Sequence, residues 1–288
     1  MTLSGWLLIL FSACIHVVAH VALKTTRNRT AFVWWMLAWG SVLFLPVLVL
    51  QWQPISALAI GVMLTSAVFE AGYFAAIARA YHTGDLSIVY PLARGTAPLF
   101  LLVWSLLFLR EHPTPGGVGG ILLIALGLYV LNLPRLGAWR EPLRALNTPG
   151  PRWALIAGVC ISLYTAIDKF GITLLTPLFY TYLTLLMTVA FLSPGTFRQA
   201  GWDGMLAELR HSWWAAVIAG FTTMAAYAIV LYVMRGGAPA SYAGAVREIS
   251  VVLGALIGVT FLKENGSAMR ILGAVLVAAG VLLIKVLG

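Results

Sequence analysis

GDLSIVYPLARGTAPLF (residues 84–100), closed by FLREH (108–112), has a second copy later in the chain: GAPASYAGAVREISVVL (237–253), closed by FLKEN (261–265). Laid one on the other without a gap, Gly84 falls on Gly237, Arg94 on Arg247, Phe108-Leu109 on Phe261-Leu262 and Glu111 on Glu264, all at an offset of 153 residues. Arg110 meets Lys263, Gly120 meets Gly273 and Gly127 meets Gly280 at the same offset. An arginine inside an apolar run, repeated at one spacing, is the mark of an internal duplication. Both arginines fall at bilayer depth. A charge there costs at least a few kcal/mol, so each is a candidate functional residue.

The rest of the composition agrees with a membrane setting. Of 288 residues 61% are hydrophobic and 9% charged, with a mean hydropathy of +0.95; a soluble domain carries about a quarter charged residues. Ten apolar runs are readable, at about 4–23, 31–50, 56–80, 86–109, 116–133, 153–172, 174–193, 213–234, 238–262 and 269–287. Each has roughly the twenty residues that cross a 30 Å hydrocarbon core. The expected fold is therefore an all-α integral membrane protein of ten transmembrane helices. Cys14 and Cys160 both lie inside apolar runs and read as packing residues rather than a disulfide or metal pair. The formal charge of +9 is scattered at run ends instead of being striped with aromatics, so nucleic acid is not the expected partner. The first run has neither a basic leader nor a small-residue cleavage site and is expected to remain as a span.

Between the fifth and sixth runs lies the longest charged connection, 134–152. It divides the chain into two five-helix halves, 1–133 and 153–288. Two like-folded halves with an odd number of spans enter the membrane with opposite polarity, an inverted-topology repeat. Such repeats place a substrate site near the midplane and work by alternating access. Of the 18 Lys and Arg, twelve lie in the loops after odd-numbered runs, four on the other side, and two are Arg94 and Arg247. The positive-inside rule then puts both termini outside the cytoplasm. Segment 194–211, TFRQAGWDGMLAELRH with two residues before it, is too polar to span. It reads either as a short interfacial helix with Trp202, Met205, Leu206 and Leu209 on its apolar side, or as a surface loop.

These residues resemble the EamA-type branch of the drug/metabolite transporter superfamily. The likeness is carried by YPLARGTAPLF, FLREH and GGILLIALGLYVL in the first half and by VREISVVLGALIGVTFLKEN and RILGAVLVAAGVLLI in the second. The openings SACIHVVAHVALK and GVCISLYTAIDKFG fit as well. The resemblance implies a path lined by runs one, three, four, six, eight and nine, with five and ten as scaffold. It implies a substrate among amino acids, sugar conjugates, phosphorylated metabolites or cations, and cytoplasmic termini, the reverse of the charge count. Many relatives carry an aromatic-Asn pair in the first helix where Ala19-His20 stand here.

Several side chains can carry chemistry. Arg94 and Arg247 would bind phosphate, phosphonate or carboxylate oxygens in bidentate fashion, or else hold helices together through a buried carboxylate. Glu70 and Glu248 lie well inside runs and would neutralise an arginine, hold an ammonium group or take up a proton. His16 and His20 share a helix face, with no carboxylate or cysteine at hand to complete a metal site, so His20 is read as a cavity wall or a pH-responsive gate. Tyr73, Tyr90, Tyr164, Tyr227 and Tyr242 are deep enough to offer hydroxyls to a cavity. Asp168 and Lys169 read as a local ion pair at the interface, with cavity contact as the alternative. Glu111 and Glu264 read as organisers of tight turns. Trp34, Trp35, Trp52, Trp213 and Trp214 read as interface anchors, Gly254 and Gly258 as a close-packing GxxxG, and Pro91 and Pro98 as breaks in a bending or merely kinked helix.

The function expected from these residues is carriage of a small polar metabolite, anionic or zwitterionic, through a central cavity in a bacterial-type inner (plasma) membrane. The alternatives are a proton-coupled exporter of cationic or amphipathic compounds and a non-transporting scaffold or sensor subunit. No nucleotide-binding loop, nucleophile–base pair or metal cluster is readable, so neither a cofactor nor an enzyme is expected. The partners are a small-molecule substrate and the lipid bilayer, with the chain a monomer or homodimer.

Overall fold

In hydrocarbon every backbone N–H and C=O must be satisfied within the chain, and a helix does this segment by segment. A computed structural model describes residues 2–24, 26–83, 86–131, 133, 135–260 and 268–288, and among these the chain is helical with no strand. The helices are α1 (Leu3–Lys24), α2 (Arg29–Leu43), α3 (Pro46–Leu50), α4 (Ala57–Thr83), α5 (Leu86–Leu107), α6 (Pro115–Leu131), α7 (Glu141–Arg144), α8 (Pro149–Leu174), α9 (Pro177–Arg235), α10 (Ala240–Arg247), α11 (Ile249–Thr260) and α12 (Ala268–Leu287). Five, α1, α4, α8, α9 and α12, are long and apolar enough to cross a bilayer by length and composition. The outer surface is apolar too, with Leu50, Val49 and Val286 among the most exposed side chains. This is a multi-pass membrane protein.

The sequence expectation differs most from the structure in α9. A straight helix of its 59 residues would measure about 90 Å, three times the hydrocarbon thickness. It breaks at Gly201, whose φ of 67° and ψ of 166° need a residue without Cβ, and at Ser212 (φ −132°, ψ 23°). The segment left open between helix and loop, 194–211, is helical on both sides of Gly201, and 202–211 forms the short piece between the two breaks. Met205 is fully buried and Trp202 is 62% exposed. Its anchor is polar. Buried Glu208 accepts the Asn28 N–H at the start of α2 (2.8 Å) and the Ser212 hydroxyl (2.6 Å), while the Trp35 indole donates to the Met205 carbonyl (2.9 Å). The Trp34 indole donates to Ser193 (2.9 Å) and its ring meets Phe197 edge-on. Trp34 and Trp35 thus tie helices together, whereas Trp52, Trp213 and Trp214 are exposed.

Glycines set the closest helix contacts. A Cβ on Gly120 would lie 2.7 Å from the Gly280 carbonyl oxygen, and one on Gly127 2.8 Å from that of Gly273. Leu287 sits against Gly116 and Leu283 against Gly119, so α6 and α12 pack antiparallel. A second close approach, Gly40 on Gly220, joins α2 to the last part of α9. The expected GxxxG contact is not made at Gly254, where an added Cβ would meet nothing within 4 Å; the side-chain position of Gly258 lies outside the description.

Candidate functional site

The helix that carries Arg247 stops there. Glu248 caps α10, its N–H turning back to the Ala245 carbonyl (3.1 Å), and α11 starts at the next residue. The break leaves an arginine and a glutamate at the junction of two short helices, both side chains buried. On the facing helix α5, Pro98 has no N–H to give the Arg94 carbonyl four residues earlier, so the regular helix ladder is interrupted there. The two interruptions meet. Arg94 Nη2 lies 2.9 Å from Glu248 Oε2, which joins α5 of the first half to the α10–α11 junction of the second. Next to them a small cavity is lined by Ala97, Pro98 and Leu101 of α5, Ser162 and Thr165 of α8, and Gly244, Arg247 and Glu248. It has room for about one water and none for a metabolite.

Arg247 is held differently. Its guanidinium lies over the Tyr227 ring, 5.7 Å from the centroid, and it forms no ion pair among the described residues. Tyr227 meets Tyr164 edge-on at 6.1 Å, and Tyr164 lies 6.5 Å from Tyr73. Glu70 is buried in α4 and accepts from the Thr188 hydroxyl at 2.6 Å. Of the residues singled out from sequence, Arg94, Arg247, Glu70, Glu248, Tyr73, Tyr164 and Tyr227 therefore fall in one buried region.

Of the other three, one is placed apart and two have undescribed side chains. Tyr242 is buried elsewhere: its hydroxyl accepts the Thr114 N–H (2.9 Å) at the start of α6 and lies against Gly117, where a Cβ would not fit. The side chains of His20 and Tyr90 lie outside the described residues, as do that of Pro91 and the whole of Glu264. His16 is half-buried. Among the described residues no group of three His, Cys, Asp or Glu is arranged to hold a metal.

Asp168 is the residue sequence reasoning undervalued. It is fully buried and accepts hydroxyl hydrogen bonds from Ser66 of α4, Tyr180 of α9 (2.7 Å) and Tyr227 of α9. The expected interfacial ion pair with Lys169 does not form. Adjacent helical residues point about 100° apart, and Lys169 turns away to donate to the Met234 (2.5 Å) and Ala238 (2.8 Å) carbonyls. A signal for Asp168 was present: Tyr180, Thr184 and Thr188 repeat at four-residue spacing in an apolar run, a polar stripe that needs a polar partner.

Glu111 holds a helix start in the other half of the chain. Its carboxylate accepts the Ala240 N–H (2.5 Å), the Ser241 N–H (3.3 Å) and the Ser241 hydroxyl (2.8 Å) at the start of α10. A carboxylate at a helix N-terminus satisfies donors the helix leaves open and is favoured by the helix dipole. The helix it caps ends at Arg247.

The family model described as the EamA-like transporter family matches residues 3–133 and 148–286. A solved structure titled only "Crystal structure of protein" aligns with all of this chain and 98% of its own, at a TM-score of 0.71 and 17% identity; it is a likeness of fold. No curated protein matches the chain.

Proposed function

The chain belongs to the EamA-like transporter family, and from that premise we propose that it is an alternating-access carrier of a small anionic or zwitterionic metabolite. The observation that carries this reading is the Arg94–Glu248 pair, which bridges the two halves beside a small cavity that Arg247 also lines. Ten spans in two inverted halves, divided by 134–152, fit the helix contacts. Gly120 and Gly127 of α6 occupy the repeat positions of Gly273 and Gly280 of α12. They touch in crossed order, Gly120 with Gly280 and Gly127 with Gly273. Exchanging the halves leaves those contacts unchanged, as a two-fold axis between antiparallel helices requires. The loop charges favour a plasma-membrane orientation with external termini.

A second reading has its own support. Among the described residues the buried region around Arg247 holds three carboxylates, Glu70, Asp168 and Glu248, against two arginines, Arg94 and Arg247, a balance that also suits a proton-coupled exporter of cations. A thermal-stability screen of purified protein against anions, zwitterions and cations, with Arg247→Ala alongside, separates the two. A ligand of the folded state raises the apparent Tm by mass action. Anions or zwitterions that stabilise the wild type and not the variant, and that then show saturable flux in proteoliposomes, support the carrier as proposed. Stabilisation by cations alone, unchanged in the variant, transfers the site to the carboxylates. A ligand that binds without flux would leave a sensor.

A further inference from the structure

We propose that the two arginines have different tasks: Arg247 is the cation that contacts the ligand, Asp168 and Tyr227 position it, and Arg94 serves chiefly as a tie between the halves. This division rests on the carrier reading above and concerns the same site.

A guanidinium carries all five N–H donors in its plane, so what approaches its edge uses donors and what lies on its face uses none. Arg94 is met at its edge, Nη2 against the Glu248 carboxylate at 2.9 Å. Arg247 instead has its guanidinium carbon over the face of the Tyr227 ring and no ion pair among the described residues, and its Nε has no hydrogen-bond partner among them. A ring face attracts a cation without accepting conventional hydrogen bonds from its N–H groups, and Arg247 lines the cavity. A guanidinium not engaged in an ion pair, beside a small cavity that Ser162 and Thr165 also line, suits an oxyanion, such as a carboxylate or phosphate group, able to accept two parallel N–H bonds.

Tyr227 does not orient itself. Its hydroxyl donates to Asp168 and its ring is braced by the edge of Tyr164. Asp168 in turn is fixed from two other directions, by Ser66 of α4 and Tyr180 at the start of α9. A relay of three residues, Asp168, Tyr227 and Arg247, therefore runs from α8 through the last part of α9 to the end of α10. Tyr164, Glu248, Arg94 and Glu70 are near enough to act on Arg247 electrostatically, but among the described residues no hydrogen bond to any of them sets its orientation. Asp168 and Tyr227 are positioning residues, since both act on a ligand only through Arg247.

The test is a titration of the purified protein with inorganic phosphate and, separately, acetate, reading an apparent Kd from the rise in Tm. Wild type should respond to at least one. Arg247→Lys should lose the response, because an ammonium has neither the flat face nor the paired donors, while Arg94→Lys, which still offers Glu248 a cation, should stay within about three-fold of wild type. Tyr227→Phe keeps the ring and loses its anchor, and Asp168→Asn weakens the same link; both should raise Kd about ten-fold, the scale of a lost cation–π contact. Ser66→Ala removes another donor from Asp168 but not the link to Tyr227. It should lower Tm and change Kd less than about three-fold. A response lost in Arg94→Lys and kept in Arg247→Lys would overturn the division of tasks. So would a loss of affinity in Ser66→Ala equal to that in Tyr227→Phe, which would mean general loosening. A wild type that responds to cations only would overturn this inference and leave a carrier standing; one that responds to no small ion would overturn both.

Discussion

Lys169 and Arg235 cap each other's helices. Lys169 of α8 donates to the Met234 and Ala238 carbonyls at the end of α9, and Arg235 of α9 donates to the Leu175 carbonyl (2.8 Å) that caps α8. Each helix thus ends in a cation from the other, satisfying carbonyls the helix leaves open and opposing its dipole. Thr165, one turn before Lys169, and Gly244, one turn after the Glu111-capped start of α10, both line the cavity. The two cations clamp the ends of α8 and α9 together.

Lys169→Met is expected to lower stability by about 1–2 kcal/mol, as a charged hydrogen bond and a dipole contact are lost together. It should also raise labelling of a cysteine at position 165 by an impermeant thiol reagent. The double variant with Arg235→Met should lose less than the two single losses added, because the helix ends they hold are shared. Additive losses and unchanged labelling would separate the two cations and remove the clamp.

Breaking the buried Arg94–Glu248 pair from one side leaves a charge in a low dielectric. Arg94→Met and Glu248→Met should each cost about 3–5 kcal/mol, and the double variant should recover most of it. Denaturation of all four proteins in one detergent tests this. A double variant as unstable as the worse single one would show that the two side chains do not depend on each other.

At the α6–α12 crossing, Gly120→Ala would place its Cβ 2.5 Å from Ile284 Cγ1 and 2.7 Å from the Gly280 oxygen. Backbone cannot yield as a flexible side chain does, so a loss of about 1–3 kcal/mol is expected. Gly61→Ala is the comparison, since its Cβ would meet nothing within 4 Å; it should be neutral or slightly stabilising. The Tm difference between the two variants is the measurement.

Glu208→Ala takes the acceptor from both the Asn28 N–H and the Ser212 hydroxyl. A loss of about 1–3 kcal/mol is expected for buried donors left unpaired. Local opening should follow, seen as faster tryptic cleavage at Arg198 or Arg210. Wild-type cleavage rates would mean that Met205 and Trp35 hold the segment without it.

For orientation, Cys14 and Cys160 are replaced by alanine and exposed Leu143 by cysteine. The loop charges predict that this cysteine stays unlabelled by an impermeant reagent in intact cells and reacts once they are opened. Ready labelling of intact cells would reverse the orientation.

Composition alone determined that this is a helical membrane protein, because a charged fraction of 9% cannot clothe a soluble surface. The repeat and the motifs around Arg94 and Arg247 carried the family. Burial of Arg94, Arg247, Glu70 and Glu248 was legible too, since a charge far from either end of an apolar run has nowhere to go but inward. Which partners those charges meet was not legible. In a soluble helix the apolar stripe marks the buried face, but a span is apolar toward lipid and toward protein alike, so periodicity does not say which side faces the core. Asp168 lies six residues from the end of α8 and by count belongs at the interface; packing from α4 and two parts of α9 puts it at the centre. Tyr242 reads as cavity-deep by the same count, yet the arrival of Thr114 and Gly117 from the other half claims it. The bends at Gly201 and Ser212 and the Glu111 cap on α10 are likewise decided by contacts between residues more than a hundred positions apart or by local dihedrals. Only the folded chain sets those, because each depends on where a second helix comes to rest.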